Sequence, residues 1–191
     1  DLGTQATRTP DANEAPVADT ATTPSVSVQT LGGPAPRALG LFSPAVMGLP
    51  DDLWSSSDGA VLGALLAAEE TDTLPALQDL IVMLAISAAN PPLEGAAPGS
   101  FFRARVDKLL SIGALEQAQA MLEVATPDTP ELYRRWFDVS LLTGTEDTAC
   151  RSLRVKPDVA PTPSARIFCL ARSGDWSAAA LTLNTGLALD D

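Results

Sequence analysis

A glycine recurs at nearly constant spacing in the second half of this chain. Three segments align without gaps around Gly113, Gly144 and Gly174, at intervals of 31 and 30 residues. Each glycine is followed by an alanine and then by a leucine at fixed distances, and the first two are also followed by a proline. The repeated positions are Ala118, Ala149 and Ala179, then Leu122, Leu153 and Leu183, then Pro130 and Pro161. A period of this length predicts stacked helical hairpins, each covering its neighbour's apolar face.

Each residue type in the repeat suits one part of a helical hairpin. Glycine tolerates the backbone needed between two antiparallel helices. Alanine lets the second helix approach the first closely, and leucine fills the groove between neighbouring hairpins. Proline ends one unit and can begin the next helix, where its missing N–H has no cost. The alternative is an ordinary helical bundle whose internal similarity is due to chance.

The pattern resembles the tetratricopeptide repeat (TPR), a helix-turn-helix family with glycine at the turn. The positions that match are Gly113, Ala118, Leu122 and Pro130 in the first unit and Gly144, Ala149, Leu153 and Pro161 in the second. The third unit has the turn Gly174-Asp175-Trp176, and we expect Trp176 to pack between hairpins. The positions of the first helices match less well. The resemblance covers about residues 101–190 and implies an all-α fold of stacked hairpins, a TPR-like α-solenoid with a concave protein-binding surface.

The chain divides into a tail and a helical domain. Residues 1–40 are rich in Pro, Thr and Ala, so we expect an extended tail that is disordered alone or ordered on a partner. Residues 41–191 should form the helical repeat domain, with seven or eight helices. Its first helix is predicted over about 53–70, capped by Asp51, Asp52 or a serine at 55–57. The second is predicted over about 73–89, with Asp72 or Thr73 as the cap.

The two cysteines, Cys150 and Cys169, are not spaced as a metal site. In a cytosolic protein they would be two buried thiols, and in an exported protein they would pair. Stacked hairpins place them on sequential helices, close enough for a disulfide. We therefore expect a disulfide and a periplasmic or otherwise exported location. Because the sequence starts at Asp1 without a leader, it is expected to be a processed product.

Composition excludes several classes of function. The net charge of −12 disfavours nucleic-acid binding, and the longest apolar run, residues 80–89, is too short to span a membrane. The absence of histidine removes the commonest general base and zinc ligand. No cofactor or metal motif is present, and we expect none to be bound. The predicted function is a non-catalytic scaffold or assembly subunit that binds other proteins. The alternative is a helical, lysozyme-like glycan-cleaving enzyme that uses two distant carboxylates.

The candidate partner-binding residues are Tyr133, Arg134, Trp136 and Arg103. Tyr133 and Trp136 share one helix face with Phe137, and this face either packs in the core or lines a concave groove. Arg134 and Arg135, together with Arg103 and Arg105, form a basic set of residues. Such arginines either remain solvated or clamp a carboxylate of an acidic peptide.

Overall fold

The computed structural model describes residues 39–93 and 99–189, which contain eight α-helices and, apart from two isolated bridges, no β-structure. The helices are α1 (Gly59–Ala68), α2 (Pro75–Ile86), α3 (Ser100–Ser111), α4 (Leu115–Ala125), α5 (Pro130–Thr143), α6 (Glu146–Val155), α7 (Pro163–Arg172) and α8 (Trp176–Leu189). The prediction of an all-α domain is confirmed. The predicted tail lies outside the described residues except for its last two positions.

The helices pack in the order in which they follow along the chain. α1 and α2 both pack on α3, and each later helix from α3 onward packs on the next, ending with α7 against α8. This sequential arrangement is compatible with stacked hairpins. One continuous core runs from Leu39 to Cys169, and a smaller cluster forms around Trp54, Ala89 and Phe101.

The repeated glycines occupy the three turns between α3 and α4, α5 and α6, and α7 and α8. Gly113, Gly144 and Gly174 have φ values of 75°, 73° and 86°, in the left-handed region that side-chain-bearing residues rarely adopt. The turn role predicted for these glycines is confirmed. A methyl group at any of them would meet no atom within 4 Å, so the backbone conformation alone favours glycine.

The alanines of the repeat lie where the helices meet, and all three, Ala118, Ala149 and Ala179, are buried. Two of the repeated leucines, Leu122 and Leu153, are also buried, but Leu183 is 47% exposed. The prediction for Leu183 is therefore wrong. Leu183 lies on α8, and in the described part of the chain no later helix covers that face.

The repeated prolines differ in what they do. Pro130 is the first residue of α5, as predicted, whereas α7 begins at Pro163, two residues after Pro161. A threonine precedes both Pro130 and Pro163, and its hydroxyl accepts a hydrogen bond from an N–H in the first turn. Thr129 caps α5 in this way, and Thr162 caps α7.

The first helix is shorter than predicted. α1 begins at Gly59 because the Asp58 carboxylate accepts hydrogen bonds from the N–H groups of Ala60 and Val61, at 2.9 and 3.1 Å. Residues 51–57 form turns that bond to the segment 90–93 instead of continuing a helix. α2 is also shorter, since it begins at Pro75 without a side-chain cap and ends at Ile86. The predicted caps at Asp72 and Thr73 are therefore wrong.

An extended segment before these helices pairs with the end of α2. The Leu41 N–H donates to the Ile86 carbonyl at 2.8 Å, and the Ala88 N–H donates to the Phe42 carbonyl at 2.9 Å. Gly40 lies so close to the residues that follow α2 that a Cβ at this position would be 2.4 Å from the Ala88 nitrogen. The close approach requires glycine at this position.

Candidate partner-binding groove

An open apolar groove lies between α5 and α7. Its volume is about 320 Å³. The lining residues are Arg134, Phe137, Asp138 and Leu141 from α5, Pro161 and Thr162 from the connection, and Ser164, Ala165 and Phe168 from α7. The α5 residues follow the spacing i, i+3, i+4 and i+7, so they form one stripe along that helix.

Two phenylalanines form the apolar part of the groove. Phe137 is buried at its floor, while Phe168 forms a wall and is 37% exposed. Their rings meet edge to face with centroids 5.8 Å apart, a favourable geometry for aromatic pairs. Leu141 extends the exposed apolar surface along α5. The groove therefore presents two packed aromatic rings that an apolar side chain could contact.

The charged rim of the groove is a single loose ion pair. Arg134 Nε lies 3.8 Å from an Asp138 carboxylate oxygen, and both side chains are mostly exposed. An exposed pair of this kind contributes about 0.5 kcal/mol or less. Arg134 can therefore leave Asp138 for a better carboxylate at little cost. Of the predicted binding residues, Arg134 is the one that lines this groove.

Tyr133 and Trp136 lie in the core, so they offer no surface to a partner. Tyr133 is fully buried, and its hydroxyl donates to the Ala149 carbonyl at 2.7 Å, which ties α5 to α6. Burial raises the pKa of Tyr133 to about 12. The ring of Trp136 packs edge to face on that of Tyr133. The structure therefore supports the core-packing interpretation and places both residues behind the groove.

The predicted basic set does not form a single surface. Arg105 is buried, and Arg135 forms a two-pronged ion pair with Asp107, with N–O distances of 2.5 and 2.8 Å. Arg103 is half-buried and does not line the groove. Only Arg134 is therefore left as the candidate carboxylate clamp at this site.

Arg105 has a structural role that the sequence did not indicate. Its guanidinium donates to three carbonyls, those of Leu39, Ala85 and Ser87, at 2.8, 2.7 and 2.5 Å. Burial lowers its pKa to about 10. These bonds fasten the extended segment and the end of α2 to α3.

Trp176 does not pack between hairpins as predicted. It begins α8 and is 70% exposed. The turn before it is instead stabilised by Asp175, whose carboxylate accepts a hydrogen bond from the Ala178 N–H. The prediction failed because the outer side of α8 meets no other helix in the described residues.

Cys150 and Cys169 form a disulfide that joins α6 to α7. Their Cα atoms are 5.0 Å apart, within the normal range for a bridge. Cys169 follows Phe168 directly in sequence, so the bond links the helix that carries Phe168 to α6. A disulfide of this kind indicates an oxidising compartment.

A second, larger depression of about 720 Å³ lies between α4 and the end of α5. Its polar groups bond mainly to one another. The Thr143 hydroxyl donates to Gln119, and the Gln119 amide donates to Glu123 and Thr145. This network braces the turn at Gly144 and uses four of the polar side chains that line the depression. The lining of the α5–α7 groove is more apolar, so this groove is the better candidate site for an apolar side chain.

No family model, curated protein or solved structure matches the chain. Within residues 39–93 and 99–189, no helix is long and apolar enough to cross a membrane. In the same ranges, no three acidic or cysteine side chains are grouped so that they could hold a metal ion.

Proposed function

We propose that this protein is a non-catalytic scaffold or assembly subunit of an exported complex, and that it binds another protein through the α5–α7 groove. In this proposal α3–α8 are three stacked TPR-like hairpins. The observation that carries it is the open groove of Phe137, Leu141 and Phe168 between the first helices of neighbouring hairpins. Helical repeats commonly bind extended or helical segments on such surfaces.

The groove defines the chemistry of the segment it would bind. One or two apolar side chains would cover Phe168 and Leu141, which are partly exposed without a partner. An acidic side chain nearby would bind Arg134 through two parallel hydrogen bonds, displacing the weak contact to Asp138. We therefore expect an apolar segment with a neighbouring Asp or Glu.

Two further observations support the proposal. The disulfide is expected to form in an oxidising compartment such as the periplasm, which agrees with export. The α5–α7 groove also combines apolar side chains with one ion pair, Arg134–Asp138, and its lining includes a single carboxylate. A site for binding requires no more than this, whereas a glycan-cleaving site would require two carboxylates across a cleft.

The experiment is a comparative pull-down from an extract of the exported fraction of the source cells. Wild-type protein should retain a stoichiometric protein partner, and Phe168→Asp should lose it because a charge would enter the apolar groove. Val155→Asp is the matched control, since Val155 is exposed on α6 and does not line the groove. A partner retained equally by all three proteins would contradict the proposed site. Turnover of peptidoglycan by the pure protein would contradict a non-catalytic role.

A further inference from the structure

A small polar pocket lies along one face of α6, beside the end of α7. Its volume is about 260 Å³, and it shares no lining residue with the α5–α7 groove. The lining residues on α6 follow the spacing i, i+3, i+4 and i+7, so they form one stripe along that helix. The whole lining is Asp147, Cys150, Arg151 and Arg154 from α6, with Arg172 and Ser173 at the end of α7. We call this site the arginine pocket.

The three arginines of this pocket differ in their partners. Arg172 is already paired, because its guanidinium lies 2.8 Å from a Glu146 carboxylate oxygen and 2.9 Å from one of Asp147. Within residues 39–93 and 99–189, neither Arg151 nor Arg154 forms an ion pair with a carboxylate. Two guanidinium groups, one helical turn apart on the same face, are therefore open to a ligand.

The carboxylates around the pocket do not cancel its positive charge. Asp147 is the one carboxylate in the lining, and Glu146 precedes it in the chain. The next carboxylates in sequence, Asp158 and Asp175, do not line the pocket, and Asp175 caps α8. Three arginines against Asp147 and Glu146 leave one positive charge, in a chain whose net charge is −12. The pocket is therefore a local exception in an acidic protein.

Two contacts hold the pocket in shape. The Arg151 guanidinium donates to the Thr148 hydroxyl at 3.0 Å, which restricts where that side chain lies. The disulfide between Cys150 and Cys169 ties α6 to α7, so the two walls of the pocket are linked covalently. A site that is held in place before binding loses less conformational freedom when a ligand arrives.

We propose that the arginine pocket binds a dianion of the phosphate type, held between Arg151 and Arg154. A guanidinium offers parallel N–H donors that match two oxygens of a phosphate or a carboxylate. One arginine is enough for a carboxylate, which has two oxygens and a single charge. A phosphate group has at least three acceptor oxygens and a charge of about −1.5 to −2 at pH 7, so it can bond to both guanidiniums.

The ligand is either free phosphate or the phosphate group of a small monoester, since both present the same oxygens to the arginines. The proposal goes beyond the scaffold function, because it names a ligand and a surface that do not involve the α5–α7 groove. Phe168→Asp should therefore bind phosphate like wild type, whether or not it loses a partner protein.

The test is an NMR titration of the full chain with inorganic phosphate and, separately, with glycerol phosphate, at constant ionic strength. The side-chain Nε–H signals of Arg151 and Arg154 should shift and then saturate. Arg151→Gln and Arg154→Gln should each weaken binding roughly tenfold or more, because each removes a charge-assisted pair of hydrogen bonds. Equal affinity for the two ligands would identify the phosphate group alone as the ligand, and tighter binding of glycerol phosphate would identify a monoester.

The matched control is Arg166→Gln, which removes the same charge from an exposed position on α7 outside the pocket. It should bind phosphate like wild type. Equal weakening by Arg166→Gln would reveal a general charge effect and contradict the site. Shifts that never saturate, or that chloride reproduces, would also contradict it.

Two further measurements test the class of ligand. Succinate, a dicarboxylate, should bind more weakly than phosphate, and equal or tighter binding of succinate would overturn the assignment to phosphate. Glycerol phosphate should bind more weakly below about pH 6, where it takes up a proton and becomes a monoanion. Affinity that does not change across this range would contradict recognition of a dianion.

Discussion

Arg105 links the extended segment before α1 and the end of α2 to α3. Three carbonyls from two separate segments accept its hydrogen bonds, and its planar side chain also lies over the ring of Phe101 at 5.7 Å. Within residues 39–93 and 99–189 no carboxylate is hydrogen-bonded to it, so the carbonyl oxygens supply the stabilisation that offsets its burial. A residue of this type is assigned to the surface by sequence reasoning. Its partners are remote in sequence, which is why its burial was not predicted.

Replacement of Arg105 by Met should lower the free energy of unfolding by about 3 kcal/mol, because buried carbonyls lose their donors. Arg105→Lys should recover only part of this loss, since an ammonium group cannot match the guanidinium geometry. Urea denaturation followed by circular dichroism would measure both. Arg103→Met is the control, and it should change stability by less than about 0.5 kcal/mol. Equal stability of Arg105→Met and wild type would contradict this role.

Tyr133 provides a pH-dependent signal, because it is the only tyrosine in the chain. Burial raises its pKa from 10.0 to about 12, so folding favours the neutral phenol. The stabilisation from this group is complete below pH 10 and is lost as the pH rises through about 12. Tyrosinate absorbance in the native protein should therefore titrate near the higher value. A native tyrosine that titrates like that of the urea-unfolded chain would show that Tyr133 is exposed.

At the scale of the elements, the turns were the predictable part of the fold. A turn position with a left-handed backbone conformation strongly favours glycine. The glycines Gly113, Gly144 and Gly174 therefore indicated three turns from local chemistry alone. The beginning of α1 was not predictable in this way. Several polar residues before it could cap a helix, and the choice of Asp58 depends on pairing between residues 51–59 and 90–93. That pairing is a tertiary contact with no local sequence signal.

The candidate groove was predictable only in part, because it also depends on tertiary packing. Arg134, Tyr133 and Trp136 are adjacent on α5, but helix rotation places Arg134 at the groove and the two aromatic residues in the core. Sequence spacing gives the relative angle of these residues around the helix and does not give the direction of the core. Phe168, the wall of the groove, lies on another hairpin and was missed.

Ala179→Leu tests the close approach of α7 and α8. Ala179 is buried, so the larger side chain should overpack the contact and lower the free energy of unfolding by about 1–3 kcal/mol. Ala180→Leu is the neighbouring control, because Ala180 is exposed on the same helix. Thermal and urea unfolding of both variants would give the difference. If both substitutions cost less than about 0.5 kcal/mol, the alignment of the third repeat would be wrong.

At the scale of the whole molecule, the disulfide joins the second and third hairpins and limits how far the series can open. Cys150 and Cys169 are 19 residues apart in sequence, so the bond closes a loop worth about 3 kcal/mol through its effect on the unfolded chain. Reduction should lower the free energy of unfolding by about that amount. The Cys150→Ala/Cys169→Ala double variant is the control and should be insensitive to reductant. Two thiols that react with an alkylating agent in the native, non-reduced protein would contradict the bridge and the argument for export.

The central claim is that the α5–α7 groove binds another protein. Site-specific photo-crosslinking in the source cells tests it most directly, with the photoreactive residue at position 164 in the groove and, as the control, at position 124. Val124 is exposed on α4 and does not line the groove, so it reports non-specific contacts. We expect one dominant protein adduct from position 164, lost when Phe168→Asp is added, and no such adduct from position 124. The same adducts from both positions, or an adduct that persists with Phe168→Asp, would contradict it.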